Sequence, residues 1–252
     1  MSLIKQNKIG IVILAAGKGK RMQSDKLKVM HELNGRPLID HVVSAAEKSE
    51  IDGQPVVVVC PDNPAVQNFL GERAEYVVQN EILGTGHAVS IAEEKLKGKV
   101  DTVVVLYGDM PFIKPESIRR LVERHLERDN KITLMTVKVE DFNDWRAALY
   151  DYGRIIRGGE ENHIVKIVEK RDATPEELEI KELNTSFFCF NAEWLWKNLK
   201  LLKNINTQSE YYLTDLVGAA FDEGQKLSSV DVDPKEALGI NTKEHLETAK
   251  NI

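Results

Sequence analysis

The chain has 252 residues, enough for one large α/β domain or two small ones, and 42% of them are apolar, an ordinary share for a soluble enzyme. A formal net charge of −6 argues against a nucleic-acid surface, whose footprint is a basic patch on a basic domain. No segment approaches the ~20 apolar residues of a membrane span, and the six histidines form no His-x-x-x-His or His-Glu-x-x-His pair for zinc.

Lys5 and Lys8 precede an apolar run ending at Ala15-Ala16, the outline of a secretory signal. The run is short, however, and a dense basic cluster follows where a mature chain would begin. It reads instead as a buried parallel strand, Ile11 to Leu14, that breaks into a glycine loop. Pro37 to Lys48 has a helical period with proline at its start. Pro55 to Cys60, with four consecutive valines, is a buried strand, Tyr76 to Gln79 a shorter one, and Gly86 to Lys97 a helix. Thr102 to Tyr107 is the next buried strand, Pro115 to Arg128 an amphipathic helix, and Ile132 to Val139 another strand. This βαβα rhythm predicts an α/β fold, a mostly parallel sheet with helices on both faces.

The second half is less regular. Tyr152 to Arg157 and His163 to Glu169, joined through Gly158-Gly159-Glu160-Glu161-Asn162, predict a hairpin laid over the sheet. Thr174 to Glu182 predicts a short exposed helix, Phe187 to Phe190 a strand, and Leu213 to Glu223 an amphipathic helix. The chain therefore reads as a single domain over 1–252. Residues 9–140 would form a nucleotide-binding core, 141–241 a small β-containing cover, and 242–252 a terminal helix. Cys60 and Cys189, far apart in apolar runs, suit buried reduced thiols of a cytoplasmic protein.

Three segments carry chemistry. Gly17 and Gly19 let the backbone turn its N–H groups toward an anion, and Lys18, Lys20 and Arg21 surround that anion with cations. A dinucleotide-binding turn needs a third glycine where Met22 stands, and a P-loop needs Gly-Lys-Ser/Thr after four intervening residues, so neither fits. Alone, the loop could equally be a turn with solvated lysines; Lys26 and Lys28 downstream favour a polyphosphate. Asp109, just beyond a buried strand, is placed where open α/β sheets bind ligands. Its carboxylate suits Mg²⁺, which takes oxygen ligands and bridges substrate phosphates; capping of the helix after Pro115 is the weaker alternative. Gln79, ahead of Gly84-Thr85-Gly86, offers an amide donor and acceptor for a pyrimidine edge, although Thr85 could simply cap a helix.

Leu14-Ala15-Ala16-Gly17-x-Gly19-x-Arg21-Met22, Gln79-x-x-x-Leu83-Gly84-Thr85-Gly86-His87-Ala88 and Tyr107-Gly108-Asp109-x-Pro111 occur in this order. Tyr152-Gly153-Arg154-Ile155, Ile167-Val168-Glu169, Glu182-x-Asn184-Thr185, Glu210-Tyr211-Tyr212-x-Thr214-Asp215 and Gly239-Ile240-Asn241 follow. Together they resemble the uridyltransferase domain of the bacterial N-acetylglucosamine-1-phosphate uridyltransferases. That resemblance implies a Rossmann-like nucleotidyltransferase fold of the glycosyltransferase A type. It also implies UTP and N-acetylglucosamine 1-phosphate as substrates, UDP-N-acetylglucosamine and pyrophosphate as products, and Mg²⁺ as cofactor. Leu14, Ala16, Gly17, Gly19, Gln79, Gly84 and Thr85 would hold the nucleotide. Arg21, Lys28 and Asp109 would be catalytic, Asp109 and Asn241 would hold the metal, and Tyr107, Gly153, Glu169, Asn184 and Thr214 would bind the sugar.

Ser186 and Ser209 stand where the family carries glycine, which leaves another sugar 1-phosphate open as substrate. The residues from Asp141 to Asp151, with Trp145, are extra and would extend the lid over the sugar. No β-helix repeats follow Asn241, so acetylation of glucosamine 1-phosphate is not expected of this chain. A regulatory nucleotide-binding subunit without catalysis is the alternative from another class, opposed by the presence of Arg21, Lys28, Asp109 and Asn241.

Overall fold

Runs of β-branched residues buried on both faces form the centre of the molecule, as expected of strands covered on two sides by helices. The computed structural model describes residues 3–17, 19–159, 162–225 and 227–252, without the side chain of Lys20. Lys18, the Lys20 side chain and the Glu160-Glu161 turn, to which the sequence assigns roles above, lie outside the described residues. Eleven strands are present among those described: β1 Ile9–Leu14, β2 Glu32–Leu33, β3 Arg36–Pro37, β4 Val56–Val59, β5 Glu75–Val78, β6 Thr102–Tyr107, β7 Ile132–Lys138, β8 Arg154–Gly158, β9 His163–Val168, β10 Glu182–Asn191 and β11 Leu227–Asp231. β2 and β3 make a separate two-stranded ribbon.

The main sheet runs β11-β7-β10-β6-β1-β4-β5. All neighbours are parallel except β10, which is antiparallel to both β6 and β7. From β1 the chain adds β4 and then β5 on one side, and returns to place β6 on the other. The order therefore reverses between β1 and β6, and a crevice opens beyond their carboxyl ends, where such sheets bind ligands.

The helices Leu38–Ser49 and Pro115–Arg128 fall where the sequence places them. The predicted helix over 86–97 is two, Thr85–Ile91 and Glu93–Leu96, because the Ala92 N–H bonds back to Val89 O and tightens the turn. The hairpin β8–β9 is antiparallel as expected, but it is joined to the sheet rather than laid over it. β8 pairs with β10 at Leu183↔Arg154. Phe187 to Phe190 is the second half of a ten-residue strand whose register shifts between Asn184 and Phe188. The helix Ala192–Leu199 was signalled by Asn191, whose side chain accepts from Trp194 N–H as an N-cap. β11 is short and half polar and gains its place only by pairing with β7.

A small second core decides where the C-terminal segment goes. Met22, fully buried, packs with Leu33, Leu38, Leu238, Ile240, Leu246 and Ala249. The side chain that replaces a dinucleotide-type glycine is thus an anchor tying the glycine loop to the end of the chain. Within the described residues no helix is long and apolar enough to cross a membrane.

Candidate functional site

β1 ends at Leu14, and the Ala15 N–H continues the sheet by donating to Val58 O (2.9 Å) before the chain enters the glycine loop. Gly19 has φ +63°, and a Cβ there would lie 2.5 Å from Lys28 Cβ. Glycine therefore lets the loop close on the stem of Lys28. Around Gly17 a Cβ would meet nothing within 4 Å.

Lys28, Asp109 and Asn241 converge. Lys28 Nζ donates to Asp109 Oδ2 and, at 3.0 Å, to Asn241 Oδ1. Arg21 Nη2 donates to the same Asn241 oxygen at 3.2 Å. Asn241 is held there by main-chain bonds: Ile240 N–H donates to Asp109 O (2.9 Å) and Gly239 N–H to the Tyr152 hydroxyl (2.9 Å), which itself donates to Ala237 O (2.6 Å). Two hard oxygen donors, one carboxylate and one amide, thus converge on the Lys28 ammonium. That donor set fits a divalent cation of the Mg²⁺ type, which completes its shell with substrate phosphates and water. Among the described residues no cluster of three or more His, Cys, Asp or Glu could hold a metal alone. Asp109 does not cap the helix Pro115–Arg128; Lys114 occupies that cap position, and its N–H donates to Glu236 Oε2 (3.0 Å).

Two cavities meet at this point. The smaller, about 190 Å³, is lined by Leu14, Ala16, Gly17, Gln79, Gly84 and Thr85 together with Ile82 and Glu210. The larger, about 450 Å³, is lined by Arg21, Gly153, Glu169 and Asn241 together with Asp151, Tyr152, Lys170, Arg171, Ser186 and Gln208. Lys28, Tyr107 and Asp109 belong to both walls. Burial pushes the Tyr107 hydroxyl well above its ordinary pKa, so it stays a neutral donor.

Asn184 and Thr214 lie behind the larger cavity. Thr214 Oγ1 donates to Glu169 Oε1 (3.0 Å), while Asn184 Oδ1 accepts from Ser186 N–H (3.0 Å) and its Nδ2 is buried with no partner. Buried polar groups are normally paired, so this orphaned amide donor, bonded through its oxygen to the wall residue Ser186 but not itself in the wall, is an exception that calls for a partner. Burial raises the Glu169 carboxyl above the usual carboxylate range, against the Thr214 hydrogen bond that lowers it.

Thr85 is not a helix cap. Gly84 holds that position, and the Thr85 hydroxyl accepts from Leu213 N–H (3.0 Å). The segment after Glu210 is laced to this loop, with Tyr211 N–H to Leu83 O and Gly86 N–H to Tyr211 O, both 2.8 Å. From the segment 141–151 Asp151 reaches the larger cavity, whereas Trp145 packs against the core. Motif reading gave no role to Arg154, Lys170 or Arg171. Arg154 is fully buried and donates to Tyr150 O (3.0 Å) and Leu178 O (3.3 Å), which holds the wall at Gly153. Lys170 and Arg171 directly follow Glu169, so their position beside an acidic motif residue was the available signal.

Ser186 and Ser209 adopt φ of +66° and +56°, the left-handed conformation for which glycine is suited. The serines reach that conformation at a cost of about 1–2 kcal/mol each. Ser209 is exposed and outside both walls. Ser209→Gly is therefore expected to stabilise the protein by about 0.5–1 kcal/mol, after the extra freedom glycine gives the unfolded chain is set against the relieved strain. Chemical denaturation would register this as a higher midpoint at unchanged slope.

The MobA-like NTP transferase domain matches residues 11–174. The bifunctional protein GlmU of Acetivibrio thermocellus is 42% identical over 242 residues, covering 96% of this chain and 50% of the relative. GlmU of Clostridium botulinum is 38% identical over 241 residues, covering 96% of this chain and 51% of the relative. The chain thus spans about half the length of these curated relatives. A crystal structure described as a glucose-1-phosphate thymidylyltransferase from Bacillus anthracis shares the fold, with a TM-score of 0.77 at 20% identity, covering 96% of this chain and 94% of the other.

Proposed function

Because the chain belongs to the family of MobA-like NTP transferase domains, we propose that it joins UTP to N-acetylglucosamine 1-phosphate, giving UDP-N-acetylglucosamine and pyrophosphate. The carrying observation is that Lys28 and Asp109 stand in the wall common to two cavities, with Asn241 beside them. The smaller cavity, with Gln79 and the Gly84-Thr85 turn, would take the uridine. The larger, with Glu169, Gly153 and the Asn184 amide behind it, would take the sugar. The phosphates of both substrates would then meet at Lys28. Similarity to the N-terminal half of GlmU supports the choice of substrates.

In the proposed reaction an oxygen of the sugar phosphate forms a bond to the α-phosphorus of UTP. The bond from that phosphorus to the bridging oxygen breaks, and pyrophosphate leaves with the electron pair. The attacking oxygen is already ionised near neutral pH, so no general base is needed, and the work is positioning and charge neutralisation. Cys60 and Cys189 are buried free thiols, in keeping with a reaction that uses no protein nucleophile and with a reducing compartment such as the cytoplasm. Lys28 and Arg21 would neutralise the triphosphate, and Tyr107 would donate a hydrogen bond across the junction. Mg²⁺, held by Asp109 and Asn241, would supply Lewis-acid stabilisation of the phosphate charge. Ser186, on the larger cavity's wall, keeps a related hexose 1-phosphate as a second reading.

The raised Glu169 pKa implies a pH effect. As pH falls through that pKa the carboxylate takes a proton and ceases to be an acceptor-only partner, so KM for the sugar phosphate should begin to rise at a higher pH than it would for an ordinary glutamate. Sugar phosphates also titrate on acidification, so the check is the difference between wild type and Glu169→Gln. The variant should show a weaker but flatter KM profile; parallel profiles would remove Glu169 from sugar recognition. The function as a whole is tested by measuring pyrophosphate release over a panel of nucleoside triphosphates and sugar 1-phosphates. UTP with N-acetylglucosamine 1-phosphate should dominate, and equal turnover with ATP or GTP, or no turnover with any pair, would sink the reading.

A further inference from the structure

Gln79 follows β5 directly and is 2% exposed, yet it lines the smaller cavity. Its Nε2 has two partners, Gly84 O at 3.4 Å and His87 Nδ1 at 3.0 Å. A carbonyl oxygen can only accept, so the Gln79 atom facing Gly84 O must be the nitrogen. The same nitrogen faces His87 Nδ1, which makes that ring nitrogen the bare one and puts the imidazole proton on Nε2. Gln79 Oε1 makes no hydrogen bond among the described residues and is the amide group left for a ligand. His87 itself is not in the wall of that cavity; it stands in the first turn of the helix Thr85–Ile91, with its own side toward a separate space bounded by Leu83, Leu202 and Tyr211.

Resting on the uridine reading above, we propose that His87 is a specificity-determining positioning residue. By accepting from Gln79 Nε2 it holds the amide oxygen toward the base, so that the cavity presents an acceptor. An acceptor suits the N3–H of uracil and meets a lone pair at N3 of cytosine. A glutamine free to turn over presents either a donor or an acceptor and distinguishes the two bases poorly. Turning Gln79 over in this structure would set its oxygen against Gly84 O, a contact of lone pairs with no proton between them, and would force the His87 proton from Nε2 to Nδ1. The histidine, at 3.0 Å against 3.4 Å for Gly84 O, is thus the closer of the two acceptors that hold the amide in one sense, and it does so without lining the nucleotide cavity.

The test compares two substitutions in the intact chain. His87→Phe keeps a ring and removes the acceptor; His87→Asn keeps an acceptor in about the place of Nδ1. The ratio of kcat/KM for UTP over CTP should fall at least about tenfold in His87→Phe, through KM, with kcat for UTP little changed. It should return to within about threefold of wild type in His87→Asn. Equal ratios in both variants, or loss of kcat without movement of the ratio, would mean that His87 only packs, and would overturn the proposal. Should His87→Phe fold poorly, ¹⁵N NMR of the wild-type imidazole decides: a proton on Nε2 alone supports the assignment, and a proton on Nδ1 overturns it. A wild-type protein that turns over UTP and CTP equally would overturn the uridine reading itself. Wild-type preference with unchanged preference in His87→Phe would overturn only the role of His87.

Discussion

Asp109→Ala is expected to lower pyrophosphate release about 10²–10³-fold while leaving the fold intact, the scale seen when a single stabiliser of transition-state charge is removed. Asp109 holds one of the two oxygens aimed at the proposed cation site, and its loss leaves Asn241 Oδ1 alone there. The carboxylate is also the ion-pair partner of Lys28, and the two side chains are 13% and 17% exposed. Breaking a fully buried pair strands a charge at a cost of several kcal/mol. Here Lys28 keeps Asn241 and the open cavity as partners, so the stability loss should stay under about 3 kcal/mol. Steady-state turnover against Mg²⁺ concentration, with thermal melting alongside, separates the effects. Near-normal turnover, or inactivity explained by unfolding at the assay temperature, would remove Asp109 from the mechanism. Asp109→Asn keeps the shape and isolates the charge, and should be nearly as damaging.

Gly84→Ala should cost stability and nucleotide binding together. Gly84 has φ +109°, a conformation closed to residues with a Cβ, and a Cβ there would lie 2.7 Å from Tyr211 O and 2.8 Å from Tyr211 N. Those are main-chain atoms already committed to Gly86 N–H and Leu83 O, so they cannot give way as a flexible side chain would. Backbone strain and overpacking each cost about 1–3 kcal/mol, for a combined loss of about 2–6 kcal/mol. At roughly 2–4 °C per kcal/mol for a chain of this size, melting should fall by roughly 4–24 °C. Relief would come from lifting the 210–213 segment off the loop, which displaces Thr85 and Glu210 from the cavity wall and raises KM for UTP. Gly17→Ala is the contrasting case. With nothing within 4 Å of its Cβ and no positive φ, it should leave melting unchanged and raise KM for UTP only through its methyl group. Equal melting of the two variants would contradict the account of Gly84.

Much of the α/β pattern was legible because its signals are local. Four valines in a row, a β-branched run before a glycine loop, and a 3.6-residue apolar period after Pro115 each specify an element within a dozen residues. The parallel arrangement followed from strands and helices in alternation, and it carried Leu14, Gln79 and Asp109 to the same edge because parallel strands end on one side of a sheet. β10 was not legible. Its second half reads as an apolar strand, but its passage between β6 and β7, in the opposite direction, depends on pairings with residues 44 to 89 positions earlier. The polar β11 and the bulge that turns Ser186 into a left-handed conformation likewise have no local signature strong enough to predict them.

The chain's own residues therefore determined which chemistry was available: glycines where backbone must approach, cations after the first strand, and a carboxylate beyond the fourth strand of the parallel set. Only the tertiary structure decided that Asn241, 213 residues from Lys28, shares a hydrogen bond with it. It also decided that Lys28 and Asp109 stand in the wall between two cavities, and that Gln79 is fixed by a histidine eight positions on. The reason is physical. Strands and turns form from neighbours in sequence, whereas the site forms where burial of Met22 against Leu238 and Ile240 brings the two ends of the chain to one edge of the sheet.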